Sequence, residues 1–337
     1  MSNDLYLQGL CYVSSWEVLL ITGSDAPDLL NRILTLNVKK LEPGQGSWAF
    51  LLDHRGQIKQ AMWLLKRSDH HFLAISETGL EELSEAIDLF IFGEDVQLVP
   101  LKEHLCIYLS ERSSSPSEPL WSEAIEGWSG YLTPLFHSND KVHSSHENTI
   151  SEQLLIGEKS LFSTLGITSV SDSEFKTYRI HLGGALPSRE YREGTPLDVS
   201  LDGISEGKGC YPGQEVIERT IALGKPAQTT LKLTLYISIV ENAPLDRLLQ
   251  AGEEERGLLL FERTENDELG RELGVITSLA DDQERLKENL RVEAIIKLKS
   301  RYASFEAPLL CYITPRDNEI QKALERVQIK ASIERKG

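Results

Sequence analysis

From about residue 228 onward the chain changes character, and that change limits the folds open to it. Leu231 to Val240, Gly257 to Glu262, Leu273 to Ser278 and Val292 to Leu298 are β-like runs, and helical pattern is scarce among them. Short strands of this kind bury their apolar sides by closing on themselves or by stacking, so a compact β barrel or sandwich is expected. Asn318 to Gly337 is highly charged and reads as a short helix with a polar tail.

Upstream, element types alternate. Val18 to Ile21 reads as a strand. Ser24 and Asp25 can cap a following helix with Pro27 in its first turn, and Leu29, Leu30, Ile33 and Leu34 recur at helical spacing. Trp48 to Leu52 and Ile58 to Leu65 read as a hairpin around Asp53-His54-Arg55-Gly56, after a turn at Pro43 to Gly46. His71 to Ile75 is a further strand. Leu80, Leu83, Ile87 and Ile91 mark an amphipathic helix ended by Gly93, with a strand at Val96 to Val99 after it. Leu105 to Leu109 opens a second unit. Leu154 to Ser163 and Asp172 to His181 read as helices, beyond two polar stretches at Ser110 to Ser117 and Ser138 to Ser151. At 337 residues the chain has room for two or three domains. Divisions at 1–104, 105–227 and 228–330 follow, with the first two mixed and the last mostly β.

A net charge of −17 argues against nucleic-acid binding over the whole surface and against anionic membranes. No apolar run approaches the ~18 residues of a membrane span, and the start has no secretory pattern. Cys11, Cys106, Cys210 and Cys311 are far apart and form no disulfide framework or Cys-x-x-Cys site. A cytoplasmic protein is expected, with no resident metal. Walker A, Rossmann and Gly-x-Ser-x-Gly patterns are missing. His137, His143 and His146 are close in sequence but sit among polar residues, which suits solvated histidines.

The densest motif is Gly207-Lys208-Gly209-Cys210-Tyr211-Pro212-Gly213-Gln214-Glu215, followed by Val216 to Arg219. Its glycines imply tight turning, and Gln214 to Thr220 reads as a short helix with Pro212 suited to a first helical position. Cys210 then lies just before a helix N-terminus and two residues after a lysine, both of which favour thiolate. The thiol is either nucleophilic, redox-active or metal-touching, or simply a small residue buried in a crowded turn.

Lys208-Gly209-Cys210-Tyr211-Pro212-Gly213-Gln214-Glu215 with Arg219 resembles the K-G-C-Y-x-G-Q-E-x-x-x-R signature of the YgfZ family, folate-binding relatives of the glycine cleavage T-protein (aminomethyltransferase). Trp16 to Gly23, Leu29 to Leu34, Leu41 to Gly46 and Leu51 to Ile58 are similar to the opening domain of that family. Arg179-Ile180 and Pro187 resemble its approach to the cysteine, and Leu273 to Ser278 its G-x-V-T-S strand. The resemblance does not extend over about 111–150. It implies an α+β, T-protein-like fold: ferredoxin-like α/β modules around a central folate channel, plus a C-terminal β barrel. It also implies binding of tetrahydrofolate or another reduced folate. The role implied is support for the synthesis or repair of iron–sulfur proteins, and through them tRNA modification.

Residue by residue, the resemblance makes Cys210 the key functional residue, with Lys208 beside it. Tyr211, Gln214, Glu215 and Arg219 complete the signature as candidate cofactor contacts, or else shape the turn. Trp16 takes the place of a folate-contacting aromatic, or is an ordinary core tryptophan. Phe175 falls near a second aromatic contact, where the family has tryptophan. The T-proteins carry an aspartate after the G-x-I segment of the first hairpin; Gly56 to Met62 here holds no carboxylate, and Gln60 cannot accept a proton as a general base. A folate-dependent accessory protein, monomeric and working with iron–sulfur client enzymes or assembly proteins, is therefore expected. The alternative is a tetrahydrofolate-dependent aminomethyltransferase-like enzyme.

Overall fold

The computed structural model describes residues 10–102, 104–113, 128–132, 149–160, 163, 168–224, 226–238, 258–286, 289–304, 308–315 and 329–334. Contacts divide the chain into two compact units: Met1–Phe175, Leu186–Pro196 and Leu201–Arg219 in the first, and Lys176–Ala185, Leu197–Ser200 and Thr220–Gly337 in the second. Three modules are expected from the sequence; the contacts group into two.

The first unit contains two antiparallel sheets. One follows the order β2 (Glu17–Thr22), α1 (Ala26–Ile33), β3 (Gly46–Leu52), β4 (Ile58–Ser68), β5 (His71–Ser76), α2 (Leu80–Asp88), β6 (Gln97–Pro100). Its strands lie in the order β3-β4-β5-β2-β6, every neighbouring pair antiparallel, and β5-α2-β6 with β2 between them forms one split β-α-β unit. The helix at 26–33 forms for the expected reason: Ala26, Leu29, Leu30 and Ile33 make one buried stripe, with Pro27 in the first turn. Asp25 is its N-cap, although no side chain bonds the free amides. That stripe packs with Leu19 and Ile21 of β2, Met62 and Leu64 of β4, and Leu80, Leu83 and Ile87 of α2. Truncating a leucine in such a core costs about 2–5 kcal/mol. The second helix ends at Asp88, short of the expected Gly93. Its last turns tighten, with Phe90 N–H donating to Ile87 O and Ile91 N–H to Asp88 O, both at 3.0 Å.

The other sheet has the order β1 (Leu10–Val13), β7 (His104–Ser113), β9 (Thr149–Glu158), β8 (Trp128–Leu132). The helix expected at Leu154 to Ser163 is instead the end of β9 and the residues after it. Leu154, Leu155 and Ile156 are all buried because β7 and β8 flank them, and a continuous apolar run carries no period to distinguish helix from strand. The polar segments at 114–127 and 133–148, with His137, His143 and His146, lie outside the described residues.

The second unit is a closed barrel. β10 (Gln228–Ser238), β16 (Ile329–Glu334), β15 (Leu309–Pro315), β11 (Leu258–Arg263), β12 (Leu269–Leu279) and β14 (Asn289–Lys299) pair in that order, and β14 returns to β10. β13 (Glu284–Arg285) adds to β14 beside β12. Leu233, Leu235 and Ile237 of β10 point inward at period two, as a barrel wall requires. The polar tail expected near the end supplies a wall strand instead: residues 329–334 pair with both β15 and β10.

The helix α3 (Asp172–Leu182) and the helix α4 (Gln214–Leu223) each cross the division between the units. Within the second unit, buried Arg179 donates from Nη1 to Gly184 O and from Nη2 to Ser278 Oγ, both at 2.6 Å. Two stretches matched only by resemblance, Arg179-Ile180 and the strand through Ser278, are thus in direct contact. No helix among the described residues is long and apolar enough to cross a membrane.

Candidate functional site

The approach to the cysteine motif is fastened to the first α/β sheet before the motif begins. Thr35, fully buried, donates from Oγ1 to Gly203 O at 2.7 Å and accepts from Phe50 N–H at 3.1 Å. Ser205 N–H donates to Thr35 O at 3.0 Å, and Asn37 N–H donates to Ser205 Oγ at 2.8 Å. Gly203 has φ +78°, and a Cβ there would lie 2.5 Å from Trp48 O. Only glycine lets this backbone come so close.

Lys208 makes the next attachment. Its ammonium donates to Asn31 O, one of the last carbonyls of α1 that no intrahelical amide serves. It also stands 4.9 Å over the ring of Tyr211. A cation suits the negative end of a helix and an aromatic face alike. Burial opposes the charge and pulls the amine down to about 8. Burial also pushes the Tyr211 phenol up to about 12, with the charge of Glu218 adding to it.

Beyond Cys210 the chain docks on the β3–β4 turn. Gly213 has φ +78°, and a Cβ would meet Asp53 O at 2.5 Å and Gly56 Cα at 2.9 Å. Val216 covers Gly56, and Ile217 is wholly buried. The turn is itself rigid: Asp53 Oδ1 accepts from Arg55 N–H at 2.8 Å and Gln57 N–H at 3.0 Å. Burial alone would raise the Asp53 carboxyl, but those two bonds, with the charges of His54 and Lys59, together lower it. The loop 203–217 is therefore held on both sides of Cys210, whose side chain is exposed.

Two expectations change. Cys210 is not a buried filler of a crowded turn. Nor does it adjoin the helix: Tyr211, Pro212 and Gly213 separate it from α4, and a helix dipole falls off within about a turn. Pro212 accordingly precedes the helix rather than starting it. The Lys208 amine is committed to Asn31 O. Further along, Gln214 Nε2 donates to Glu218 Oε1 at 2.5 Å, one turn on, and Glu215 and Arg219 are exposed on α4. Cys106 and Cys311 are buried, and burial pushes each thiol up to about 12; half-buried Cys11 rises to about 11. Among the described residues no three His, Cys, Asp or Glu are grouped to hold a metal ion.

Trp16 and Phe175, 6% and 4% exposed, come together in a buried aromatic cluster. Their rings meet edge to face at 6.5 Å and 71°. Phe175 also stacks flat on Tyr12 at 3.9 Å and 4°, and Tyr108 meets it edge-on at 5.5 Å. Tyr12 is tied down by donating to Asp172 Oδ1 at 2.9 Å. A face of Phe175 is thus taken by the protein's own tyrosine, so this ring supports Trp16 rather than presenting a free surface. Gln60 is half-buried opposite Leu51 in the β3–β4 ladder. Sequence reasoning did not single out Thr35, Asn31 or Gly203. Their one local signal is Gly203 within Asp202-Gly203-Ile204, too common a pattern to stand out.

Residues 8–107 match the model of the GCVT N-terminal domain. No curated protein matches the chain. Among solved structures it is similar to the crystal structure of glycine cleavage system aminomethyltransferase T from Bartonella henselae. The TM-score is 0.66 and the identity 14%, with 98% of this chain and 86% of that one covered. The chain is thus similar to the GCVT N-terminal domain over residues 8–107 and has a T-protein-like fold along nearly its whole length.

Proposed function

We propose that this protein is a reduced-folate-binding accessory factor of the YgfZ type that supports the synthesis or repair of iron–sulfur proteins. Its effect on tRNA modification is indirect, through client enzymes. The observation that carries the reading is the exposed Cys210 thiol on a loop clamped at Thr35, Asn31 and the 53–56 turn. A fixed, outward thiol suits a reaction with another macromolecule. Iron–sulfur clusters usually take four thiolates, so Cys210 alone would share a cluster only transiently with a client.

For a folate, the aromatic cluster holds the candidate stacking residues. Trp16 supplies the flat indole that a pterin needs but is itself only 6% exposed, so a folate must part the cluster to stack on it, while Phe175, with a face covered by Tyr12, meets it edge to face. Tyr211, Gln214, Glu215 and Arg219 are further candidates for its polar and glutamate ends. Aminomethyl transfer by the T-protein route is not expected, because Gln60 cannot act as a base. The protein is expected to work as a cytoplasmic monomer with protein clients and without direct contact to nucleic acid. The test is a Cys210→Ala replacement in cells. Activity of client iron–sulfur enzymes should fall severalfold while the purified variant melts like the wild type. Unchanged client activity would refute the assignment.

A further inference from the structure

The C-terminal end of α2 presents two large apolar side chains to water: Leu89 is 74% exposed and Phe92 83%. Single exposed leucines are ordinary, but an almost fully exposed phenylalanine beside one is not. Nor is the segment loose. Phe90 and Ile91 turn inward against the core. Arg32 Nη2 donates to Phe90 O at 3.1 Å and Glu94 Oε1 at 2.7 Å, and Glu94 Oε2 accepts from Phe92 N–H. Asp95 is bound by Ser24, and its own N–H donates to Asp25. The two side chains are held out on a fixed backbone, which lowers the entropic cost of docking.

Charge names the occupant. Between residues 80 and 96 there are six Asp or Glu and no Lys, Arg or His. Glu94 is answered by Arg32. Glu81, Glu82, Glu85 and Asp88 are exposed along the same helix. No basic residue lies in the last turn of α2, where the helix dipole is already negative. A second copy of this chain would bring the same carboxylates against each other, and an anionic membrane would be repelled.

We propose that Leu89, Phe92 and the carboxylates of α2 form a docking surface for a basic segment of a partner protein that carries apolar residues of its own. The test is fluorescence anisotropy with a labelled amphipathic peptide of leucine and lysine. A leucine–glutamate peptide of the same length is the control. The leucine–lysine peptide should bind the full chain, and the glutamate peptide should not. Leu89→Ser/Phe92→Ser should weaken binding about tenfold, as loss of a central apolar anchor does. Glu85→Lys/Asp88→Lys should do so by at least as much. Both pairs are at exposed positions and leave the core untouched. Binding unchanged in the serine pair, or equal binding of both peptides, overturns the proposal. So does a wild-type dimer that the serine pair converts to monomer, since the occupant would then be a second copy.

Discussion

Lys208→Met isolates what the motif lysine does. The methionine keeps the length and apolar stem of the side chain but carries neither charge nor N–H. In the native state the amine is lowered from 10.5 to about 8 by burial. Between those values the unfolded chain binds the proton and the folded chain does not, so the contribution of Lys208 to stability rises with pH through this window. The full shift corresponds to about 3 kcal/mol, and the partial solvent access of a half-buried group reduces it to about 1–2 kcal/mol. The hydrogen bond to Asn31 O survives the titration, because a neutral amine still donates. Urea unfolding of both proteins at intervals from pH 7 to pH 10 measures the difference. Wild type should gain about 1–2 kcal/mol on the variant as pH rises. A flat difference would show that the amine is not desolvated. A falling one would show that Asn31 and Tyr211 hold the ammonium more strongly than burial opposes it.

Other outcomes follow from the same geometry. Gly213→Ala, with φ +78° and a Cβ 2.5 Å from Asp53 O, should cost more than about 2 kcal/mol in thermal unfolding. Gly209→Ala, with φ +103° and open space around it, should cost only about 1 kcal/mol. Thr35→Val leaves Gly203 O without its hydroxyl donor and should destabilise by about 1–3 kcal/mol, read from the same melts. Iodoacetamide should label Cys210 in the native protein, whereas Cys106 and Cys311 should react only after denaturation, as mass spectrometry of the peptides would show.

Much of the first sheet is legible in the sequence: its helices bury one face each, and its strands at 46–52, 58–68 and 71–76, buried on both faces, read as short apolar runs bounded by turn residues. Leu29, Leu30 and Ile33 show the helical period, and Leu233, Leu235 and Ile237 show the period of a strand. The reading fails where a short apolar run can be taken for either helix or strand, or where the partner is remote. Leu154, Leu155 and Ile156 lose their period in the middle of a sheet. Residues 329–334 do alternate, with Ala331 and Ile333 buried, but the run is short and lies in a highly charged stretch, and its place in the barrel wall is set by pairing with β10 and β15. The motif around Cys210 is visible as a string of residue types. The clamp that exposes the thiol is not, because Thr35 and Asn31 lie 168 and 177 positions from the residues they hold. The pairing of Trp16 with Phe175 is foreshadowed, but the covering of Phe175 by Tyr12 depends on the β1–β7 sheet that carries Tyr12.

The most direct test of the account is calorimetric titration of the reduced, full-length protein with tetrahydrofolate, in parallel with a Trp16→Phe variant. The account predicts saturable binding by the wild type and an affinity about three- to tenfold weaker in the variant, the worth of an indole face against a phenyl ring. An absence of binding, or equal affinity in the two proteins, would contradict it.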